Sequence, residues 1–586
     1  MDSRAVRALQ LLDVLGRVQR DFSEATGEQR WHRRALGCVL LASLALNASA
    51  LSWGLPNGNR TWAADALQPL TPIAVGRHVW FGDGWNSGWF YFKYPVGHPN
   101  VLLAAQAPLL AWMRWRGELG RLRSEYPHGF RDPERSLAQL ALVTRGVSAV
   151  MGTASVFFLY AVVALYLSPT AALFAAAFLA GSPPMVFYSH TSNVDVPLLF
   201  WLSLALLATV WSGRRDSRGA SVVAGAAMAM ALLTKEQGIG FLAALPMVWG
   251  IERGWQRALS VAGILRHAAL AGGAFALTTL VVANVAWNPA GYVNRWRFLM
   301  GTLPEEVRAK YAPYQFFTQV PKEFSWAAEG AKISKVARSV GHGLMPLGGW
   351  LAAAGVVVLL LHAPRLFIVG FVLAATYYVL SLRALELVPV RYVLPLLVVC
   401  GASVASLFAL LERAVRKLHP RGQAALVAVL VLWSAWALWP GLEVVRLMKN
   451  DPRYEAERWF GTLHGQVQSV EVYQPDTYLP RFPKGWQVRR VPLAERQVDL
   501  FRQRNPDLVV LSSAGQAGLF GRYSRSWKPG EPVFSESAPA RQFFEALRSG
   551  ELGYEAGPVF QRPTWLDHRI HSLNPTIGVY RRKQHP

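Results

Sequence analysis

Six ionisable side chains stand beside long apolar runs, where charge costs several kcal/mol to bury and is usually kept for a reason: Asp65, Lys93, His190, Asp195, Lys235 and Arg391. Asp65 lies in Trp62-Ala-Ala-Asp-Ala66, and Asp195 in the polar hinge Ser189-His-Thr-Ser-Asn-Val-Asp-Val-Pro197. Two carboxylates on two separate short segments suit proton removal from an attacking hydroxyl. One takes the proton, and the other orients the first or holds a divalent cation against a leaving phosphate. Cations for that phosphate are available in Phe92-Lys-Tyr-Pro95, Leu233-Thr-Lys-Glu-Gln237 and Val390-Arg-Tyr392, as two point charges and a guanidinium fork.

Each residue also has an ordinary reading. Asp65 on its own is a loop acid, and Asp195 before Val196-Pro197 is a natural helix start. Lys93, Lys235 and Arg391, taken singly, fit cations snorkelling to headgroups. Lys235 is the strongest of the three, because nothing else in its apolar stretch demands a charge, although the adjacent Glu236 offers to neutralise it. Trp296, Tyr311, Tyr314 and Phe316 read as interface aromatics rather than sugar-stacking residues.

The elements that must position these groups are apolar helices. Of 586 residues, 52% are hydrophobic, too many for an ordinary soluble domain. At roughly 20 residues per span, eleven candidates emerge, near 35–54, 139–166, 170–188, 195–212, 219–234, 237–251, 267–287, 343–361, 365–382, 391–411 and 423–440. The patch 97–113 reads either as a twelfth span or as a helix lying on the membrane. Basic residues crowd alternate connections (Arg30, Arg33 and Arg34; Arg214, Arg215 and Arg218; Arg253, Arg257 and Arg266; Arg413, Arg416, Lys417 and Arg421), which places the amino terminus inside. That scheme gives an inner tail at 1–34, a membrane domain at 35–440 with large outer loops at 55–138 and 288–342, and an outward domain at 441–586. In the last, Tyr454–Phe460 has helical spacing, while Val470–Tyr473, Leu508–Leu511 and Gly578–Tyr580 read as strands, so it is a small α/β domain.

The net charge of +24 is scattered over loops, which fits contact with anionic membrane lipid and argues against nucleic acid. Cys38 and Cys400 fall in apolar runs as small hydrophobes, not as disulfide or metal partners. Ala48-Ser49-Ala50 imitates a leader cleavage site, but the 34 residues before the apolar stretch favour a retained helix.

In order, Asp65, Lys93-Tyr-Pro95, Arg145, Ser182-Pro-Pro184, Asp195, Thr234-Lys-Glu236, Arg391-Tyr392 with Pro395, and Asn450-Asp-Pro-Arg-Tyr-Glu-Ala456 with Trp459 resemble the glycosyltransferase-C superfamily. In particular they resemble the protein O-mannosyltransferase-like branch that also includes lipid A aminoarabinose transferases. The resemblance implies an α-helical polytopic membrane fold with a small extracytoplasmic α/β domain, placed in a bacterial cytoplasmic membrane. It implies inverting transfer of a sugar from a polyprenyl-phosphate donor to a glycan, lipid or protein acceptor. Asp65 would be the base or its positioning acid, Asp195 with His190 the second-loop acidic site, and Lys93 and Lys235 the holders of the carrier phosphate. It also makes 97–113 a surface helix. Ala66 follows Asp65 where the family commonly has a second acid, and Asn193-Val-Asp195 replaces two aspartates, which leaves metal dependence open.

Rival readings remain. A lipid-linked glycan ligase would use Arg295, Arg297 and His342 instead of the early aspartates. A transporter would need mid-membrane charges and two related halves, neither of which is evident. A scaffold displaying 441–586 would hardly need eleven spans.

Overall fold

The computed structural model describes residues 27–55, 62–63, 66–81, 95–300, 302, 325–344, 346–385, 388–418, 422–514, 538–567, 570 and 572–583. Asp65 and Lys93 lie outside the described residues. The chain divides into two compact units, one of residues 1–51 and 67–442, the other of residues 52–66 and 443–586.

The first unit is helical. It opens with α1 (Gly27–Ala48), α2 (Thr71–Phe81), α3 (Gly97–Trp115), α4 (Pro133–Tyr166), α5 (Pro169–Ala180), α6 (Pro183–Ser189), α7 (Asp195–Arg215) and α8 (Arg218–Thr234). A 3-10 turn, Glu236–Gly238, leads to α9 (Ile239–Leu242), α10 (Leu245–Trp255), α11 (Val261–Val282), α12 (Pro289–Leu299), α13 (Trp326–Leu344), α14 (Pro346–His362) and α15 (Pro364–Tyr377). A π-helical turn, Tyr378–Leu382, and a 3-10 turn, Val390–Val393, precede α16 (Leu394–Leu418) and α17 (Gly422–Lys449). Local chemistry sets the starts. Asp132 accepts a hydrogen bond from the Arg135 N–H at 3.1 Å with Pro133 in the first turn of α4, and Ser168, Ser217 and Ser260 cap α5, α8 and α11 in the same manner.

Each of the eleven expected stretches contains helix, but they are not all equal spans. Among the described residues six helices are long and apolar enough to cross a membrane, or up to eight if two bent pairs each count as one span. The chain is a multi-pass membrane protein. The stretch 170–188 is bent by 63° between α5 and α6, at Gly181-Ser182-Pro183. A Cβ on Gly181 would sit 1.9 Å from the Ala437 carbonyl, so α17 approaches the bend closely there. The stretch 237–251 is a 3-10 turn and two short helices, and α8 has 17 residues. The ambiguous 97–113 is helical as α3 but is not among the helices apolar enough to span.

One buried carboxylate ties four helix ends together. Glu252 accepts from Tyr166 Oη at 2.5 Å, Arg214 Nε at 2.7 Å and Arg365 Nε at 2.9 Å. Arg214 and Asp195 stand at opposite ends of α7, about 30 Å apart at 1.5 Å per residue. The basic residues Arg214, Arg215 and Arg218 therefore gather at the end of α7 that is remote from Asp195.

The second unit holds a five-stranded sheet of β1 (Ser469–Val472), β2 (Gln487–Arg490), β3 (Leu508–Ser512), β4 (Tyr554–Phe560) and β5 (Ile577–Arg582), in the order β2-β1-β3-β5-β4. The β2, β1 and β3 strands are parallel, whereas β5 runs antiparallel to both β3 and β4. Helices α18 (Pro452–Thr462), α19 (Val498–Arg504) and α20 (Ala538–Ser549) complete it. Phe460, Val470 and Val510 pack in one hydrophobic cluster, and Phe501, Val509 and Phe543 in another, as alternation along a strand dictates. The segment after α1 belongs to this unit. Trp53 Nε1 donates to Asp451 Oδ2 at 2.9 Å, the Gly54 N–H donates to Tyr454 Oη at 2.8 Å, and the Trp62 ring lies 4.1 Å from the guanidinium carbon of the buried Arg453.

Candidate active site

Asp195 is the first residue of α7, and its N–H donates to Asn193 Oδ1 at 2.7 Å, which fixes the turn into the helix. The helix start is thus real, and the N-terminal dipole favours a carboxylate at that point. Yet Asp195 also does more than begin a helix. Its Oδ1 accepts from Lys235 Nζ at 2.5 Å, and its Oδ2 faces Arg391 Nε at 3.7 Å. All three are largely buried, with side chains 3%, 7% and 14% exposed, so neither cation snorkels to solvent.

Lys235 is delivered by the end of α8, where the backbone leaves the helix at an extended conformation and enters the 3-10 turn. Its ammonium lies 4.0 Å from the centroid of the Tyr392 ring, whose face attracts a cation. Arg391 comes from the 3-10 turn ahead of α16, and Tyr377 Oη holds that turn by donating to the Tyr392 carbonyl at 2.8 Å. Asp195 thus meets two cations in a buried site.

Glu236 is not the partner of Lys235, contrary to the expectation from their adjacency. It forms an ion pair with Arg295 of α12. Lys235 has an extended backbone (φ −163°, ψ 128°) between α8 and the 3-10 turn that Glu236 begins, and successive side chains of an extended backbone point to opposite sides, so Lys235 is directed to α7 and Glu236 to α12. Arg295 was weighed in the sequence only as a rival site residue. The ion pair borders a recess lined by Pro95, Val96, Leu233, Glu236, Tyr292 and Arg295, among others. A Cβ on Gly97 would sit 2.7 Å from the Leu233 carbonyl, so the chain leaving the Lys93-Tyr-Pro95 motif is pressed against the end of α8, two residues before Lys235.

His190 ends α6, fully buried, and its Nδ1 lies 2.8 Å from the Val186 carbonyl; an oxygen that only accepts assigns the proton to Nδ1. It belongs to the continuous buried stretch Ser189–Asp195. Ser192 in that stretch exchanges two hydrogen bonds with Leu67: the Leu67 N–H donates to the Ser192 carbonyl, and Ser192 Oγ to the Leu67 carbonyl, each at 2.9 Å. The chain two residues beyond Asp65 is therefore fastened three residues before Asp195. Arg145 is fully buried in α4 and donates to the Leu51 carbonyl at 2.5 Å.

The structure thus brings Asp195, Lys235 and Arg391 together and seats His190 in the same hinge. Among the described residues no group of three or more His, Cys, Asp or Glu side chains could hold a metal ion. Tyr392, Tyr377 and the Glu236–Arg295 pair were not singled out as site residues. Tyr392 stood only as part of the Arg391-Tyr392 motif, and the others are separated too far in sequence to be paired without coordinates.

Residues 139–287 match the family described as dolichyl-phosphate-mannose-protein mannosyltransferase. That stretch holds Asp195, Lys235 and His190, and it meets the resemblance to the glycosyltransferase-C superfamily carried by the motifs. No curated protein matches. Among solved structures, the chain is similar to the Archaeoglobus fulgidus oligosaccharyltransferase in complex with zinc and sulfate, at 12% identity over 90% of this chain and 71% of that one, TM-score 0.42. It is similar to ArnT from Cupriavidus metallidurans bound to undecaprenyl phosphate, at 13% identity over 94% and 98%, TM-score 0.35. It is also similar to the S. cerevisiae protein O-mannosyltransferase Pmt1-Pmt2 complex bound to the sugar donor, at 16% identity over 46% and 35%, TM-score 0.32.

Proposed function

We propose that this chain is a membrane glycosyltransferase that moves a sugar from a polyprenyl-phosphate carrier to an extracytoplasmic acceptor by a single inverting displacement. The observation that carries the reading is the buried Asp195–Lys235–Arg391 constellation at the end of α7 remote from the basic loop residues. By the positive-inside rule that end faces outward.

In the proposed reaction the acceptor oxygen or nitrogen attacks the anomeric carbon and gives its proton to Asp65. The bond from that carbon to the phosphate oxygen breaks, and the electron pair leaves with the phosphate. Lys235 and Arg391 meet the charge that develops on the phosphate, with Lys93 as a third cation. Asp195 is engaged by Lys235, so its role is to hold the two cations in place rather than to take the acceptor proton. His190 orients the hinge from which Asp195 projects. No step is routed through a metal ion.

The test is transfer of radiolabelled sugar from a panel of polyprenyl-phosphate sugars into membrane material, comparing wild type with Asp65→Asn at equal expression and folding. Label with wild type and none with Asp65→Asn supports reaction and base together. Unchanged transfer by Asp65→Asn overturns the base. No transfer from any donor overturns the reaction class.

A further inference from the structure

Helix α13 (Trp326–Leu344) carries three different faces. Its inner face is bonded into the first unit: Glu329 is held by Tyr378 and by Arg383 Nε at 3.0 Å, Ser339 Oγ donates to the Val388 carbonyl at 2.6 Å, and the Gly343 carbonyl accepts from Ser182 Oγ at 3.1 Å. Val336 and Gly343 are buried on that side. At 100° per residue, Trp326, Ile333 and Ala337 share a second stripe. They are exposed, Trp326 by 81% and Ile333 by 52%. Lys335 and Arg338 share a third face, also exposed, turned well away from the apolar stripe.

An exposed apolar stripe with an aromatic ring, set beside a basic face on an otherwise anchored helix, is how a helix lies in a bilayer interface. The direction of the chain agrees, since it turns by 113° between α13 and the apolar α14. The two helices therefore cannot both follow the membrane normal. We propose that α13 is an interfacial helix that binds the phosphate headgroups of anionic phospholipids through Lys335 and Arg338, with Trp326 and Ile333 seated among the upper acyl chains. Charge complementarity selects the occupant: two exposed cations at headgroup depth attract a lipid phosphate that carries net charge and do little for a zwitterion. The inference is independent of the transfer reaction.

Full-length protein in phosphatidylcholine vesicles, doped with dibrominated phosphatidylglycerol or dibrominated phosphatidylcholine, tests it. Quenching due to Trp326 is the difference between wild type and Trp326→Phe. Brominated phosphatidylglycerol is expected to reach half-maximal quenching at a lower mole fraction than brominated phosphatidylcholine. Lys335→Gln and Arg338→Gln, at exposed positions that leave the inner face intact, are each expected to raise that mole fraction about fivefold. Equal quenching by both lipids, a preference that survives the double substitution, or a preference abolished by inorganic phosphate at constant ionic strength would overturn the proposal.

Discussion

Lys235 and Asp195, forty residues apart in the chain, meet at 2.5 Å in the interior of the helical unit, with Arg391 Nε 3.7 Å from the other carboxylate oxygen. Removing the carboxylate takes the anion from Lys235, and breaking a buried pair in this way costs about 3–5 kcal/mol. Asp195→Ala is therefore expected to lower thermal stability sharply. Asp195→Asn combined with Lys235→Met, which removes charge from both partners, is expected to regain most of that stability while transfer stays lost. Thermal unfolding of the purified variants, set beside their transfer rates, checks both halves. A double variant as unstable as the single one would refute the charge argument.

Glu252 makes the contrasting case. It neutralises Arg214 and Arg365 at the opposite end of α7 from Asp195 and is fully buried. Glu252→Gln is expected to destabilise the protein by about 3 kcal/mol or more. The surviving folded fraction should keep the wild-type KM for donor. A raised donor KM at this site would mean that the two ends of α7 are functionally linked.

In the second unit, Asp451 and Arg453 are both fully buried and pair at 2.7 Å, while Trp53 Nε1 also bonds Asp451. Asp451→Asn is expected to cost about 3–5 kcal/mol by stranding the guanidinium. It should also expose the segment 52–66 to limited proteolysis, since Trp53 loses the charge on its acceptor. Unchanged cleavage in that segment would show that Tyr454 and the Trp62 ring hold it without the ion pair.

Asp507 supplies a pH dependence. Burial pushes its carboxyl upward, but hydrogen bonds from the Gln468 and Ser469 N–H groups and the Ser469 hydroxyl, with the charge of Arg582, outweigh that and hold it below the usual value. A carboxylate with a depressed folded value stabilises fully above its unfolded value, near 3.9, and loses that contribution as pH falls through the folded value. Acid titration followed by tryptophan emission should show wild type losing stability below about pH 4. Asp507→Asn should be less stable at neutral pH and show a smaller acid-dependent loss.

Hydropathy made the helices legible because a membrane helix is written in composition, and each of the eleven expected stretches contains helix. Length was less legible: Gly181-Ser182-Pro183 breaks one stretch, and the turn at Glu236–Gly238 shortens another. Strands β1, β3 and β5 stand where apolar runs indicated them. The β2 strand is exposed along its whole length and shows no alternation, and β4 contains Gly557-Pro558, so neither announced itself. Asp195, Lys235 and Arg391 were readable as unusual charges beside apolar runs. Which charge pairs with which was not, because the extended backbone at Lys235 sends Lys235 and Glu236 to different helices. The grouping of 52–66 with the C-terminal unit depends on contacts across some 400 residues, such as Gly54 with Tyr454, and no local pattern encodes it.

The central claim is that Lys235, fixed by Asp195 and the Tyr392 ring, meets the leaving phosphate of a lipid-linked sugar. Its most direct measurement is the kcat/KM for sugar transfer from the active polyprenyl-phosphate donor by purified wild type, Lys235→Arg and Lys235→Met in vesicles, with folding checked by thermal unfolding. The account predicts that Lys235→Met loses about a hundredfold or more, in the range of a lost charge-stabilising donor, while Lys235→Arg retains part of the rate. Folded Lys235→Met that transfers sugar as fast as wild type would contradict it.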